Sequence, residues 1–499
     1  MAAADPQSKS QTPPSQPPHK RTKRLHNPQS LTHFLDGVGD LNDDNNRSFV
    51  NLPDDVVEKI FSFLPIKKAV QIGVLSSRFK TSWLSNRKLC FGREFARNRT
   101  RPEFISIVNR VFTSHSGSKI QCLRLHFDPL GSDRTVLNWI KESIDKGVEE
   151  LDLDFLHSHF PFNLPSDFID VQTVRKLKLW YCKIKLPSKL NGLRFLSSVI
   201  LRRVFLSSGL IETLIHHCTL LETLDLTQCD GIWRLEIFAG DLKRFKVLKV
   251  GDCWKIDTID IDSPTLRSFY YCGPVRAIKI ANALQLNDVM LNFIPRRGFI
   301  RNFQVENLVF DISRVTLLTT TSTFLEGLTA RIRDGVFGNL NFCLSNLKEF
   351  QLFMEGASYC NLGDIASFLG NCPCIEKVFI DLNEFSFEWG LYWELHQRQL
   401  VDKQSGFFHC LKFVKVKGFK FDKHELEMAR YFLKRALFLE TFALVYPRNG
   451  RVNIYPPYVK IYNALLIAWK ASPFANITIC EHLNDTDCPT PPKHSKFWF

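Results

Sequence analysis

This chain of 499 residues holds 14 cysteines and 14 histidines, and few of them stand at spacings that do chemistry. His157 and His159 lie two residues apart with no carboxylate or metal partner fixed near them by spacing, so the pair reads as surface. His216-His217-Cys218 lacks a partner pair at ligand spacing, and Cys372-Pro373-Cys374 lacks the two-residue gap of zinc-binding thiols. No Walker-type loop, Gly-x-Gly-x-x-Gly, Gly-x-Ser-x-Gly or His-Glu-x-x-His occurs. The expectation is a protein without catalytic residues, metal or cofactor. What remains is the chemistry of binding: apolar surface, charge, and repetition.

The elements that would present such surfaces begin at Asn51, with NLPDDVVEKIFSFLPIKKAVQIGVLSSRFKTSW. Asp54 and Asp55 suit the first turn of a helix, where carboxylates meet the positive end of its dipole. Val57, Ile60, Phe61 and Leu64 share one face of that helix, and Pro65 ends it. A second helix is predicted from Lys67 to Ile72, with Gly73 as its stop. A third is predicted after Ser76 as cap, with Phe79 and Trp83 one turn apart. So small a unit cannot bury all these apolar groups alone. The segment resembles an F-box, the module that joins substrate receptors of SCF ubiquitin ligases to a Skp-type adaptor. Phe79 stands where many relatives have tryptophan. The resemblance implies adaptor contacts from Leu52, Pro53, Val57, Ile60, Leu64, Val70, Val74, Ser76 and Phe79.

Composition narrows the remaining classes. With 44% hydrophobic and 12% aromatic residues, 43 of them Phe, the chain suits a folded protein of two or three domains. No apolar run reaches the ~18 residues that would cross a bilayer, and the N-terminus has no apolar signal region. Scattered cysteines without such a signal point to a reducing interior, which leaves the sequons at Asn98, Asn476 and Asn484 idle. The net charge is +14, yet residues 1–127 alone carry 20 basic against 10 acidic groups. The rest is nearly balanced, which argues against a nucleic-acid-binding repeat surface. Residues 1–47 read as a polar tail, in which Lys20, Arg21, Lys23 and Arg24 form a candidate nuclear-import cluster; nucleus, cytoplasm or both are the expected locations.

After a basic helical linker at 93–117, a Leu-x-Leu pattern recurs at Leu123, Leu151, Leu177, Val199, Leu224 and Leu248. Periods in the twenties with that pattern mark leucine-rich repeats, each a strand and a return segment. Internal alignment supports this: Cys218 to Leu226, Cys372 to Ile380 and Ala436 to Leu444 share one frame, with Glu222, Glu376 and Glu440 at the turn. Rhythm weakens around the Thr-rich run Thr316–Thr323 and a helix predicted near Phe324–Arg333, and returns at Leu347–Leu352.

The last third resembles the FBD region of plant F-box proteins, on Trp389 or Trp393, Cys410 to Val416, Gly418-Phe419 and His424 to Glu427. The expected fold is α/β: a three-helix F-box at 48–92, then a solenoid with a curved parallel sheet. Degenerate repeats would fill 118–400. FBD-like units at 401–480 would cap the stack, before a tail at 481–499 that ends in Phe497-Trp498-Phe499. Alternation turns Asp152, Lys178, Asp225 and Lys249 outward, where the stack needs nothing specific from them, and makes them target-binding candidates. The resemblance implies a substrate receptor that binds a Skp-type adaptor, reaches a cullin-RING scaffold indirectly and holds an unknown protein target. A scaffold acting outside ubiquitin transfer and a nuclear nucleic-acid binder are the alternatives.

Overall fold

Each Leu-x-Leu segment is a strand, because alternation lets two apolar side chains enter one interior while the residue between them faces away. The computed structural model describes residues 52–75, 77–168, 171–184, 192–294, 305–333, 342–354, 360–382, 385, 387, 398–403, 406–447, 456–481 and 491–494. Fifteen of its strands form one sheet, from Lys88–Phe91 to Asn476–Cys480. Every pairing in it is parallel, and the repeats stand in register: Leu151 against Leu177, Leu177 against Val199, Val199 against Leu224, Leu224 against Leu248. This row and the one two residues on are almost entirely buried, which explains why leucine, β-branched and aromatic residues fill them. Thr320 interrupts the second row, and its buried hydroxyl donates to the Leu291 carbonyl at 3.1 Å. The Thr-rich run therefore continues the sheet, as strand Leu317–Thr321, and runs straight into the helix Ser322–Arg333.

Behind the sheet lies a layer of helices and short strands. A second parallel sheet there pairs Arg234–Phe238, Thr258–Asp262 and Ala277–Ala281. Large rings fill the space between the layers; Phe155, Phe245, Phe269, Phe350, Phe368 and Phe432 are fully buried, which accounts for much of the phenylalanine. The return from strand to outer layer uses one device repeatedly. Tyr181, Arg203, Gln228 and Asp252 each follow a strand with positive φ. Their N–H groups donate to the carbonyls of Arg202, Thr227, Gly251 and Cys272, each the fifth residue of the strand in the next repeat. Neighbouring repeats thus satisfy each other's turns. The aligned glutamates serve at the opposite end of the strand: the Glu222 and Glu376 carbonyls accept from Lys246 and Lys412.

At the N-terminal end, helices Asp54–Phe63 and Ile66–Leu75 precede 3-10 turns at Ser77–Phe79 and Ser82–Ser85. The second helix runs through Gly73 instead of stopping there. A Cβ at that position would lie 3.0 Å from the Phe79 carbonyl oxygen, so the glycine serves close approach, not termination. The third predicted helix is only two tight turns. Val57, Phe61, Ala69 and Phe79 form a small core of their own, with the Phe61 and Phe79 rings 5.8 Å apart. Ile66 instead joins the main core. Asn86 locks the two units: fully buried, its side-chain amide donates to the Phe61 and Leu64 carbonyls at 3.0 and 2.9 Å.

The sheet already starts at Lys88, inside the segment expected to be purely F-box. The segment expected as a linker is the first layer of the stack: helix Arg101–Ser114 buries Phe104, Val108, Val111 and Phe112. At the other end, strand Lys377–Asp381 pairs with Phe413–Lys417, then Thr441–Val445, then Asn476–Cys480. The FBD-like units are thus further repeats of the same sheet. Among the described residues they do not close it. The last strand is half-exposed, and Ile461, Leu465, Ile467 and Phe474 beside it face solvent, so the predicted cap is an open end among the described residues.

Candidate functional site

Two surfaces stand out. The first is on the N-terminal helical unit. Because Val57 and Phe79 are enclosed in its own core, they are corrected from contact residues to internal packing. Val70 is half-buried and leans on the main core, which turns it toward the joint with the repeats. Leu52 and Leu64 rest partly exposed on the small core, Ile60 is partly exposed, Pro53 is exposed, and Val74 is 47% exposed. Ser76 lies outside the described residues. The sequence reading missed Val56 and Phe63, the latter 64% exposed. Spacings of four and three join Val56, Ile60 and Phe63 into a second apolar stripe on the first helix. That helix is apolar on both sides, and only one side is buried. Arg78 ties down the start of the first helix, donating to the Leu52 carbonyl and, at 2.7 Å, to Asp54. Asp54 is largely exposed, so this pair fixes geometry more than it adds stability.

The second surface is the face of the large sheet turned away from the core. One register row crosses it: Arg124, Asp152, Lys178, Ile200, Asp225, Lys249, Tyr270, Met290, Thr319, Gln351, Phe379 and Lys415. The four target candidates form two adjacent pairs in this row, Asp152 with Lys178 and Asp225 with Lys249, separated by Ile200, and the stack does use them. The Arg124 guanidinium donates to Asp152 at 2.8 Å, while Lys178 reaches Glu150 at 2.9 Å and Asp152 at 3.8 Å. Burial pushes the Asp152 carboxyl up, with Lys178 and Arg124 opposing. Asp225 is buried and accepts the Thr227 hydroxyl at 2.8 Å; Lys249 lies over the Tyr270 ring. Their sequence signs differ because charges in adjacent strands compensate each other.

A cluster that the sequence reading missed sits one row away. Asp154 is buried, which works against its charge, yet His126 at 2.8 Å and Arg93 at 3.3 Å hold its carboxyl below the usual range. Trp180 lies against the guanidinium groups of both Arg93 and Arg202. Its members are far apart in sequence, and only strand register brings them together. His157 packs edge-on against His126 but is itself exposed, as are His159, His216 and His217. Cys372 is buried with its thiol on the Phe368 carbonyl at 3.4 Å, whereas Cys374 is exposed. Among the described residues, no three His, Cys, Asp or Glu side chains converge on a common point. No described helix is long and apolar enough to cross a membrane.

Comparison with known proteins agrees with this geometry. Residues 49–91 match the family described as F-box domain, and residues 111–454 match that described as At1g61320/AtMIF1, LRR domain. The FBD-associated F-box protein At1g61320 of Arabidopsis thaliana is 34% identical over 82% of this chain and 91% of its own length. A second FBD-associated F-box protein of that plant is 33% identical over 82% of this chain and 93% of its own. F-box/LRR-repeat protein 13, also from Arabidopsis thaliana, is 24% identical over 79% and 88%.

Proposed function

Since the chain belongs to the family of FBD-associated F-box proteins with a leucine-rich-repeat domain, we propose that it is the substrate-recognition subunit of an SCF-type E3 ubiquitin ligase. In this reading a Skp-type adaptor grips the F-box, and the open face of the repeat sheet holds a protein target. A cullin-RING scaffold carries the ubiquitin-loaded enzyme. The chain makes and breaks no bond. It works by proximity, raising the effective concentration of target lysines near the thioester.

The observation that carries the reading is the exposed apolar patch of Pro53, Val56, Phe63 and Val74 on a helical unit whose own core is already closed. Such a patch on a soluble face calls for a partner, and a few anchors of this kind carry most of an interface, each worth ~2 kcal/mol or more. Replacing Leu52 and Pro53 together by Ala should sharply weaken adaptor pull-down while the repeat sheet stays folded. Undiminished pull-down would sink the assignment. Co-purification from native cells then separates the alternatives: adaptor with cullin supports the ligase, adaptor alone a scaffold, nucleic acid a different protein altogether.

A second proposal concerns location. Lys20, Arg21, Lys23 and Arg24, which lie outside the described residues, would direct nuclear import of a protein shared between nucleus and cytoplasm. Neutralising all four should move a tagged chain to the cytoplasm; an unchanged distribution would count against it.

A further inference from the structure

The open face of the sheet is not empty. Residues 491–494, Pro-Pro-Lys-His, lie across its middle although nearly 150 residues separate Lys493 from its partner Glu349. His494 is 1% exposed, an unusual depth for a polar residue five positions from the C-terminus. Its Nδ1 lies 2.7 Å from the Thr319 hydroxyl oxygen. That hydroxyl has one proton and gives it to Gln351 Oε1 at 3.0 Å, so in the contact with Thr319 the imidazole nitrogen is the donor. Nε2 faces the Asp288 carboxylate at 3.3 Å, and the ring meets Tyr270 edge-on at 5.5 Å. Asp288 is held in place by the Tyr270 hydroxyl at 2.9 Å. The Lys493 N–H donates to Glu349 at 2.8 Å, and Gln351 donates to the same carboxylate at 2.6 Å. Beyond Pro492 the cleft continues past Phe379 to Lys415.

The ring therefore donates through Nδ1 to the Thr319 oxygen and holds Nε2 3.3 Å from a carboxylate, and one main-chain N–H meets a second carboxylate. A flat side chain with a ring N–H satisfies that pattern; a carboxylate, which can only accept, does not. The tail supplies such a group in cis, on the face that the proposed function assigns to targets, so this inference rests on that reading. We propose that the stretch of the open face from Tyr270 to Lys415 is a binding site for a protein segment carrying Pro and, two residues on, a flat side chain with a ring N–H donor, which the chain's own residues 491–494 fill until a target displaces them. A tethered segment competes at an effective concentration on the order of millimolar, enough to exclude weak ligands and admit strong ones.

The test uses the full-length chain and a fluorescent, end-capped peptide of residues 490–495. His494→Ala should free the site, and that variant should bind the peptide at least tenfold more tightly than the natural chain. Adding Asp288→Asn should cancel the gain, as should adding Thr319→Val, which keeps shape and removes only the hydroxyl. Unfolding curves of all four chains should superimpose, so that loss of binding is not loss of fold. Equal binding by the natural chain and the His494→Ala variant would overturn the proposal, and so would binding that ignores both Asp288→Asn and Thr319→Val. No adaptor is present in this measurement, so its failure is distinct from failure of the Leu52/Pro53 test.

Discussion

The two ends of the solenoid use the same device in opposite surroundings. At the N-terminal end, Thr100 and Glu103 form a capping box on helix Arg101–Ser114; at the C-terminal end, Asp422 and Glu425 form one on helix Lys423–Arg435. Glu103 is exposed, and hydrogen bonds from Thr100 hold its carboxyl below the ordinary range. Glu425 is fully buried, and burial pushes its carboxyl up to about 7 although Lys420 and Asp422 N–H groups bond it. The ends differ in closure too. The first strand is covered by helices and joined through Asn86 to the F-box, whereas the last is, among the described residues, an edge beside exposed Ile467 and Phe474. The lesson is that a repeat stack is closed by packing, not by a local motif: the same capping motif occurs near a sealed end and near one that is open among the described residues.

The largest effect should come from the sealed end. Phe91 is fully buried, with the Phe95 and Phe104 rings 5.0 and 6.3 Å away, so Phe91→Ala should cost ~3–5 kcal/mol in denaturant unfolding. Ile479→Ala in the half-exposed last strand should cost about 1 kcal/mol. Equal costs would break the comparison.

Next is the buried cap. Glu425 holds its proton more tightly in the native state, so its contribution to stability is complete below about pH 4.5 and is lost as pH rises through about 7. The loss is on the order of 3 kcal/mol. Glu425→Gln should flatten that dependence, seen as denaturation midpoints that no longer fall between pH 4.5 and 8. A variant with the natural slope would show that Glu425 titrates normally.

A smaller effect is expected at the joint. Asn86→Ala leaves two buried carbonyls without their donor, at about 1–3 kcal/mol, and hydrogen exchange should rise in helix Asp54–Phe63 before it rises in the sheet. Uniform exchange would mean that the F-box and stack open as one. The smallest effect belongs to the open end: Phe474→Ser should leave the unfolding midpoint within ~0.5 kcal/mol of the natural chain. A larger loss would mean that this end is covered after all.

Much of this architecture was legible in sequence because its signals are short and repeated. Leu123, Leu151, Leu177, Leu224 and Leu248 fix strand positions by alternation, and their shared frame fixes the parallel stack. Pro65 and the acidic pair Asp54–Asp55 bound the first F-box helix as they should. Gly73 misled, because one glycine can either end a helix or admit a neighbour, and the choice depends on Phe79, which folds back onto it.

What the sequence by itself determined is periodicity: which side chains face inward, that the F-box-like segment has more apolar surface than it can bury, and that the chain belongs to a repeat architecture. What only the tertiary structure decided is pairing across repeats. Whether Val57 or Phe63 faces solvent depends on which stripe of one helix meets the next. Asp152 answers to Arg124 and Lys178 only because strands 28 and 26 residues away lie beside it in register. His494 reaches Thr319 across 175 residues. Local spacing carries no record of such contacts, since each depends on where the sheet places a neighbour and not on the residues next in the chain.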